Sequence, residues 1–163
     1  MENRNFICCF TGHRHISPEY ADEMLFQLNR TIDILIRSGV TTFRSGGAVG
    51  FDTVAALVVL EKRNVHPHIK LEMCIPCRDQ ASRWSQEEIE IYNAILAQAD
   101  KVTVLNEKYT PYCMHQRNRY MVDGSDFCIA LLTSKEGGTA YTVNYAKKKG
   151  VKVINLIDIL GIK

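Results

Sequence analysis

A glycine-rich corner between a strand-like and a helix-like segment is the first feature of this sequence that could do chemistry. It consists of Ser45, Gly46, Gly47 and Gly50, and Asp52 follows it at the start of an apolar helical pattern. Glycine lets a ligand approach main-chain amides closely, and the amides at a helix N-terminus attract a phosphate or another anion. Asp52 could accept a hydrogen bond from a ribose hydroxyl or a neighbouring amide, or serve only as a helix cap. The corner predicts an anion site, and a plain turn explains it about as well.

A second corner of the same kind occurs later in the chain. Gly137 and Gly138 follow an apolar strand-like run, and Thr139 opens the next helical pattern. The first amides of that helix and the Thr139 hydroxyl could hold a phosphate, although threonine is also a good helix cap without any ligand. Two such corners in one chain favour an anion site over two unrelated turns.

Arginines near these corners provide candidate counter-charges for an anion. Arg14 lies just past Gly12 at the end of the first strand-like segment, where a guanidinium can bind phosphate or carboxylate with two hydrogen bonds. A solvated surface position is the alternative for Arg14. In MHQRNRYM, Arg117 and Arg119 are two positions apart and therefore point to different faces of a helix. We expect Arg117 and its neighbour Asn118 to face the site.

Cysteines raise the question of a metal or redox site. Cys74 and Cys77 form a CxxC pair, and Cys113 with His115 could complete a zinc set. The pair ends a strand-like segment, whereas a zinc knuckle usually supplies a second closely spaced pair. We expect structural thiols, and no metal ion or other cofactor.

The segments that must position these residues alternate between two patterns. Short apolar runs predict six strands: NFICCFTG, TTFRSGG, KLEMCIP, KVTVLN, DFCIALL and KVINL. Helical spacing and capping signals predict helices over residues 19–37, 52–62, 85–99, 112–122 and 139–149. This order predicts an α/β fold, a Rossmann-like three-layer α/β/α sandwich with a mainly parallel sheet of about six strands. Ligands of such sheets bind beyond the carboxyl ends of the strands, where both glycine corners fall.

The composition limits the classes of function. With 163 residues, 46% of them hydrophobic, the chain predicts one domain over residues 1–163. A net charge of +2 argues against nucleic acid and membrane surfaces as partners. MENRNF is followed by a strand-like segment and not by a secretory signal, so we expect a cytoplasmic protein. The mostly apolar second helix leaves a homo-oligomer open.

Five motifs occur in a fixed order along the chain: TGHR, SGGAVGFD, IPCRDQASRW, RNRYMVD and EGGTAYTVNYA. Together they resemble the SLOG superfamily, specifically its YpsA-like branch, from Phe6 to about Leu156. The resemblance implies a Rossmann-like fold and a nucleotide or nucleotide-derived ligand at the carboxyl edge of the sheet. Members of this branch are described as binding or sensing modules. Their relatives include the Lonely Guy phosphoribohydrolases and the Smf-type DNA-processing proteins.

One departure from these relatives bears on enzymatic activity. MHQRNRYM resembles the Lonely Guy segment that carries a catalytic arginine, and Arg117 occupies the matching place. Those enzymes continue with Gly-Thr-x-x-Glu, whose glutamate assists cleavage of an N-glycosidic bond, but Thr142 stands at that place here. A threonine cannot act as a carboxylate base. Glu136 could substitute only if its loop folds back, so Arg117 and Glu136 are the candidate catalytic residues if the protein is an enzyme.

The sequence thus predicts a module that binds a nucleotide or a nucleotide-derived phosphorylated ligand, without turnover. The rival hypothesis is an N-glycosidase acting on nucleoside monophosphates or related compounds. DNA binding, after the Smf-type relatives, ranks third because the net charge is small.

Overall fold

The structure, a computed structural model, describes residues 5–160, and strands and helices alternate along them. The strands are β1 (Phe6–Gly12), β2 (Val40–Ser45), β3 (Lys70–Ile75), β4 (Lys101–Val104), β5 (Phe127–Leu131) and β6 (Lys152–Asn155). The helices are α1 (Ala21–Arg37), α2 (Phe51–Val65), α3 (Gln86–Gln98), α4 (Cys113–Val122), α5 (Gly138–Lys148) and α6 (Leu156–Leu160). None of these helices is long and apolar enough to cross a membrane.

The six strands form one sheet in the order β4-β3-β2-β1-β5-β6. Every neighbouring pair is parallel, which confirms the predicted Rossmann-like sandwich. From β1 the chain builds the sheet outward in one direction through β4, and it then returns to place β5 on the other side of β1. The boundary between β1 and β5 is therefore the topological switch point, where the loops after the two strands diverge and leave a crevice.

Helices cover both faces of the sheet. The larger core lies between one face and helices α1, α2 and α6, and it includes the rings of Phe10, Phe43 and Phe51. The smaller core lies between the other face and helices α4 and α5, and it includes Met121 and Ala146. Most apolar residues of α2 pack into the larger core, and Leu57 and Val65 remain exposed.

Several element ends differ from the sequence predictions, and the largest difference is in α2, which continues to Val65 beyond the predicted end at residue 62. Helix α1 begins at Ala21, because residues 18–20 form a turn before it. Helix α5 begins at Gly138 with Gly137 as its N-cap, so Thr139 lies inside the first turn and does not cap the helix. Leu156 ends no strand and instead opens α6, a short helix that the sequence analysis missed. The predicted capping box of α3 is confirmed, since the Ser85 hydroxyl accepts from the Glu88 amide at 3.2 Å.

Candidate functional site

A cavity of about 250 Å³ opens at the carboxyl edge of the sheet, beside the switch point. Its walls come from the end of β1 and the loop after it, the start of α2, one side of α4 and the start of α5. Of the predicted ligand-binding residues, those that line the cavity are Gly12, Arg14, Asp52, Arg117, Asn118, Gly138 and Thr139. Those outside its lining are Ser45, Gly46, Gly47, Gly50 and Gly137, and the catalytic candidate Glu136 also lies outside it. The structure thus brings together residues from both glycine corners, but not all of them.

The polar groups of the first glycine-rich corner form hydrogen bonds with other groups of the protein. The Gly47 amide donates to the Ser45 hydroxyl oxygen at 3.2 Å, and that hydroxyl donates to the Asp52 carbonyl at 2.9 Å. The Gly46 carbonyl accepts a hydrogen bond from Nη1 of Arg117 at 2.6 Å. A Cβ atom on Gly46 would lie 2.5 Å from the same nitrogen, which is closer than such atoms can approach. Glycine at position 46 therefore makes room for the Arg117 guanidinium.

Gly50 serves a close contact between two loops. It has a φ of +94°, and a Cβ atom there would overlap the Arg14 carbonyl group. The next amide, that of Phe51, donates to the His13 carbonyl at 3.1 Å. The loop after β1 therefore packs directly on the N-terminus of α2, which places Arg14 and Asp52 at the same cavity.

Arg117 is a buried positive charge on the wall formed by α4, and it is only 5% exposed. Besides Gly46, its guanidinium donates to the Asn118 side-chain oxygen at 2.8 Å and more weakly to the Cys74 carbonyl at 3.4 Å. Within residues 5–160, the one hydrogen-bonding contact of its Nη2 atom is with the Met114 sulfur, at 3.7 Å. Burial lowers the pKa of Arg117, but a guanidinium stays charged in proteins. Arg117 forms no ion pair within residues 5–160.

Asp52 is the carboxylate among the residues that line the cavity, and it is 6% exposed. Burial raises its pKa to about 6, against the opposing effects of Arg117, a hydrogen bond from the Ala48 amide, and Arg14. Gly50 is the N-cap of α2, and no side chain caps this helix. Asp52 therefore does not cap this helix, and the residue lines the cavity from the first turn of α2.

His13 links two walls of the cavity, a role that the sequence analysis did not foresee. Its Nε2 atom accepts a hydrogen bond from the Thr133 amide at 2.9 Å, so the neutral ring carries its proton on Nδ1. Burial lowers the pKa of His13, which favours this neutral form. Through this contact the loop after β1 holds the loop after β5. The signal available in the sequence was only that both loops follow strands of one parallel sheet.

The start of α5 lacks the carboxylate expected of a Lonely Guy enzyme. The Thr142 hydroxyl donates to the Gly138 carbonyl at 2.8 Å and is turned away from the cavity lining. Glu136 is exposed, and its loop does not fold back over the cavity. The amides of the first helical turn have no partners within the helix itself, as at any helix start, and Gly138 lies on the cavity wall.

A buried polar network that the sequence analysis missed holds the C-terminal end of α4. Arg44 on β2 pairs with Glu72 on β3 at 2.8 Å. The same guanidinium donates to the Asp123 carbonyl at 2.9 Å and the Met121 carbonyl at 3.3 Å. Glu72 also accepts from the Tyr120 hydroxyl at 3.2 Å. Two strands thus fix the helix that carries Arg117.

The cysteines do not gather into a metal site. All six are buried free thiols, and Cys74 belongs to the small core beneath α4. No group of three His, Cys, Asp or Glu residues suited to a metal ion occurs in the part of the chain that the structure describes.

A parallel six-stranded sheet with a charged cavity at its switch point defines a Rossmann-like α/β protein. A family model, YpsA (YspA SLOG family), matches residues 19–161. The chain therefore belongs to the YspA SLOG family, as four of the five motifs implied. The TGHR motif lies ahead of the matched region.

Similar proteins agree with this assignment. The chain is 30% identical over 128 residues to an uncharacterized SPbeta prophage-derived protein, YoqJ, of Bacillus subtilis, which covers 71% of this chain and 75% of that protein. It is 33% identical over 141 residues to a UPF0398 protein of Halalkalibacterium halodurans. That match covers 85% of this chain and 73% of the relative. Among solved structures, DNA processing protein A of Helicobacter pylori, reported with a single-stranded DNA binding mode, matches with a TM-score of 0.65 and 20% identity. The match covers 92% of this chain and 64% of that one, and it shows a shared fold.

Proposed function

We propose that the cavity binds a nucleotide or a nucleotide-derived phosphorylated ligand, as a binding or sensing module. The observation that carries this proposal is Arg117, a buried arginine on the cavity wall that forms no ion pair within residues 5–160, although Asp52 interacts with it electrostatically at longer range. A buried charge without a directly bonded counter-ion is energetically costly. A phosphate between Arg117, Arg14 and the first amides of α5 would supply the counter-ion, and a helix N-terminus adds to the attraction.

Gly138 supports the same proposal. It lies in the first turn of α5 on the cavity wall, and a Cβ atom there would meet no atom within 4 Å. Its φ is also not in the left-handed region. Glycine in a helix destabilises a protein by roughly 0.5–1 kcal/mol relative to alanine. Nothing in the described chain requires glycine at this position, whereas close approach of a ligand to the amide would.

A thermal-shift screen of nucleotides at millimolar concentration tests the proposal. We expect at least one nucleotide to raise the unfolding midpoint by several degrees, because a ligand at 100 times its Kd stabilises a protein by about 2.7 kcal/mol. Gly138→Ala should unfold at the same or a higher temperature without ligand and should lose most of the ligand-dependent shift.

Two exposed arginines, one at the cavity and one outside it, allow a matched test of how positive charge contributes to nucleotide binding. Arg14→Ala should reduce the nucleotide-dependent shift, because Arg14 lines the cavity. Arg119→Ala removes the same charge from a residue outside the lining and should leave the shift unchanged. A screen without any stabilising nucleotide, or equal shifts in the parent and Gly138→Ala, would contradict the proposal.

N-glycosidase activity is the rival form of this function, and it is favoured by the position of Arg117 at the cavity. Binding without turnover is preferred because Thr142 replaces the glutamate and Glu136 lies outside the cavity. Incubation with nucleoside monophosphates, followed by chromatography, distinguishes the two. Release of free base that is lost in Arg117→Ala would establish the enzyme instead of the binding module.

Single-stranded DNA is a second candidate ligand, because the fold resembles DNA processing protein A. DNA is a less favoured ligand than a small nucleotide, because the net charge of the chain is only +2. A labelled oligonucleotide should show no gel shift at physiological salt. A shift that weakens steeply with salt concentration would favour DNA.

A further inference from the structure

Asp52 has a fixed place in the cavity, and the arginines face the same space. Its main-chain carbonyl accepts a hydrogen bond from the fully buried Ser45 hydroxyl, and the residue lines the cavity from the first turn of α2. The carboxylate receives a hydrogen bond from the Ala48 amide. It forms no ion pair within residues 5–160. A ligand in the cavity can therefore supply a further hydrogen-bond donor to this carboxylate.

Because the cavity is small, the Asp52 carboxylate can select among anionic ligands. An anion that fills about 250 Å³ beside Arg117 also lies near Asp52, and two like charges at short range in a partly buried site repel strongly. A ligand that carries a hydroxyl group beside its phosphate changes this interaction, because the hydroxyl can donate to the carboxylate. A nucleotide has this combination of groups in its phosphate and ribose.

We propose that Asp52 is the specificity-determining residue of the cavity: it accepts a hydrogen bond from a ribose hydroxyl of the ligand and disfavours phosphorylated compounds that lack this hydroxyl. The inference rests on the proposed function, and it narrows the ligand class to phosphorylated ribosides with free hydroxyl groups. Arg117 and Arg14 bind the phosphate, and Asp52 accepts a hydrogen bond from the ribose.

The other polar side chains at the cavity cannot take over the role of Asp52 as acceptor for a ribose hydroxyl. His13 already uses Nε2 to accept from the Thr133 amide, and Asn118 uses its side-chain oxygen to accept from Arg117. Thr11 and Thr139 offer hydroxyl groups, which form weaker hydrogen bonds than a charged acceptor. Asp52 is thus the strong acceptor on the cavity wall that remains open to a ligand.

Two matched nucleotides and one substitution test the proposal. Adenosine 5′-monophosphate and its 2′,3′-dideoxy analogue carry the same base and phosphate and differ in the ribose hydroxyls. Asp52→Asn keeps the size and an acceptor oxygen of the side chain but removes its charge. Calorimetric titrations at pH 7.5, above the pKa of about 6, give four dissociation constants.

We expect the parent protein to prefer the hydroxyl-bearing nucleotide by about 10-fold to 100-fold, the range of one hydrogen bond to a charged group. In Asp52→Asn the preference should fall below about 3-fold, because a neutral amide is a weaker acceptor. The dideoxy analogue should also bind more tightly to Asp52→Asn than to the parent, because the repulsion is gone.

Equal preference in the two proteins would overturn the inference, and so would an equal loss of affinity for both nucleotides. Failure of both nucleotides, and of every nucleotide in the thermal-shift screen, to bind the parent would instead contradict the proposed function itself. If Asp52→Asn does not fold, the same ratio is measured in the parent at pH 5.0, where the carboxyl group is largely protonated. The preference should shrink there, and a constant ratio would overturn the inference. The phosphate is common to both nucleotides, so its own titration cancels.

Groups that face Asp52 from the other walls are His13, Arg14 and Arg117. The arginines stay charged over this pH range. Burial lowers the pKa of His13, so its neutral form persists to lower pH than that of an ordinary histidine. The change in preference therefore reports on Asp52.

Discussion

Two buried groups of opposite charge, Arg117 and Asp52, face one cavity without forming an ion pair. The guanidinium donates instead to the Gly46 carbonyl and the Asn118 side chain. Burial lowers the pKa of the arginine and raises that of the aspartate, so both ionised groups are disfavoured by the environment they share. A ligand that places an anionic group beside Arg117 and a hydroxyl group beside Asp52 would reduce the cost of burying both charges.

The raised pKa of Asp52 predicts a specific dependence of stability on pH. The folded protein binds this proton more tightly than the unfolded chain, since the pKa is about 6 in the fold and 3.8 in the reference state. Between about pH 4 and pH 6 the contribution of Asp52 to the free energy of unfolding therefore falls as the pH rises, and the loss persists above pH 6. Asp52→Asn should be more stable than the parent at pH 8 by about 2–3 kcal/mol at most.

Urea unfolding of both proteins at pH 5 and pH 8 measures this effect. The advantage of Asp52→Asn should be clearly smaller at pH 5, because the parent carboxyl group is then mostly protonated. A substitution that destabilises the protein equally at both pH values would show that burial does not disfavour this charge.

Much of the cavity lining was predictable, because carboxyl ends of parallel strands meet at one edge. That rule brings Arg14, Asp52 and Thr139 together from segments far apart in sequence. It does not give the direction of each amide. Gly46 and Gly47 were assigned to the ligand, yet their polar groups bond Arg117 and Ser45. Arg117 approaches Gly46 from a helix 71 positions later, and no local pattern encodes that contact.

Helix α4 is the element that determines where Arg117 lies, and it is attached to the sheet at two points. The guanidinium of Arg117 is bound to the corner after β2, and Arg44 binds the carbonyls at the helix C-terminus. A cation at that end also interacts favourably with the helix dipole. The ion pair with Glu72 is largely buried, at 14% and 5% side-chain exposure.

Loss of the Arg44 side-chain charge should loosen this helix. Arg44→Met leaves Glu72 buried without its main partner, and removing one member of a buried ion pair destabilises proteins by about 3–5 kcal/mol. Arg119→Met, on the exposed face of the same helix, should change stability by less than about 0.5 kcal/mol. Chemical denaturation measures both changes.

Hydrogen exchange separates a local effect on α4 from a global one. In Arg44→Met the amides of residues 119–122 should exchange faster than those of α1, which lies on the other face of the sheet. A stability change below about 1 kcal/mol would show that the network contributes little. The double variant Arg44→Met with Glu72→Leu should recover part of the loss, because no unpaired charge remains.

Most elements were predictable from periodicity, and their ends were not. All six strands were found, since buried parallel strands form short apolar runs between helical patterns. Helix α6 was missed because it has five residues, too few for a helical period to show, and directly continues β6. The start of α5 was displaced by one residue because glycine can begin a helix as readily as threonine can cap one.

The whole molecule places the cavity where the two halves of the sheet meet. Helix α2 packs on one face, α4 and α5 pack on the other, and all three contribute to the cavity walls. The alternation of patterns predicted the layers, but many strand orders share the same alternation. The order itself, with β1 between β2 and β5, follows from long-range pairing that a single sequence does not reveal.

A ligand in this cavity should protect both faces of the molecule. With saturating adenosine 5′-monophosphate, we expect amide exchange to slow by about 10-fold or more at the starts of α2 and α5 and in the middle of α4. Helices α3 and α6 contribute no residue to the cavity lining and should not change. Mass spectrometry of deuterium uptake measures this pattern. Protection confined to one helix would place the ligand elsewhere.

The hydrogen bonds of His13 have a kinetic consequence. Its carbonyl holds the N-terminus of α2, and its ring holds the loop that leads into α5. The entrance is therefore preorganised before any ligand arrives, so association should need no slow rearrangement and little loss of conformational entropy. An imidazolium ring cannot accept the Thr133 hydrogen bond, so protonation of His13 would release the loop after β5 from the loop after β1.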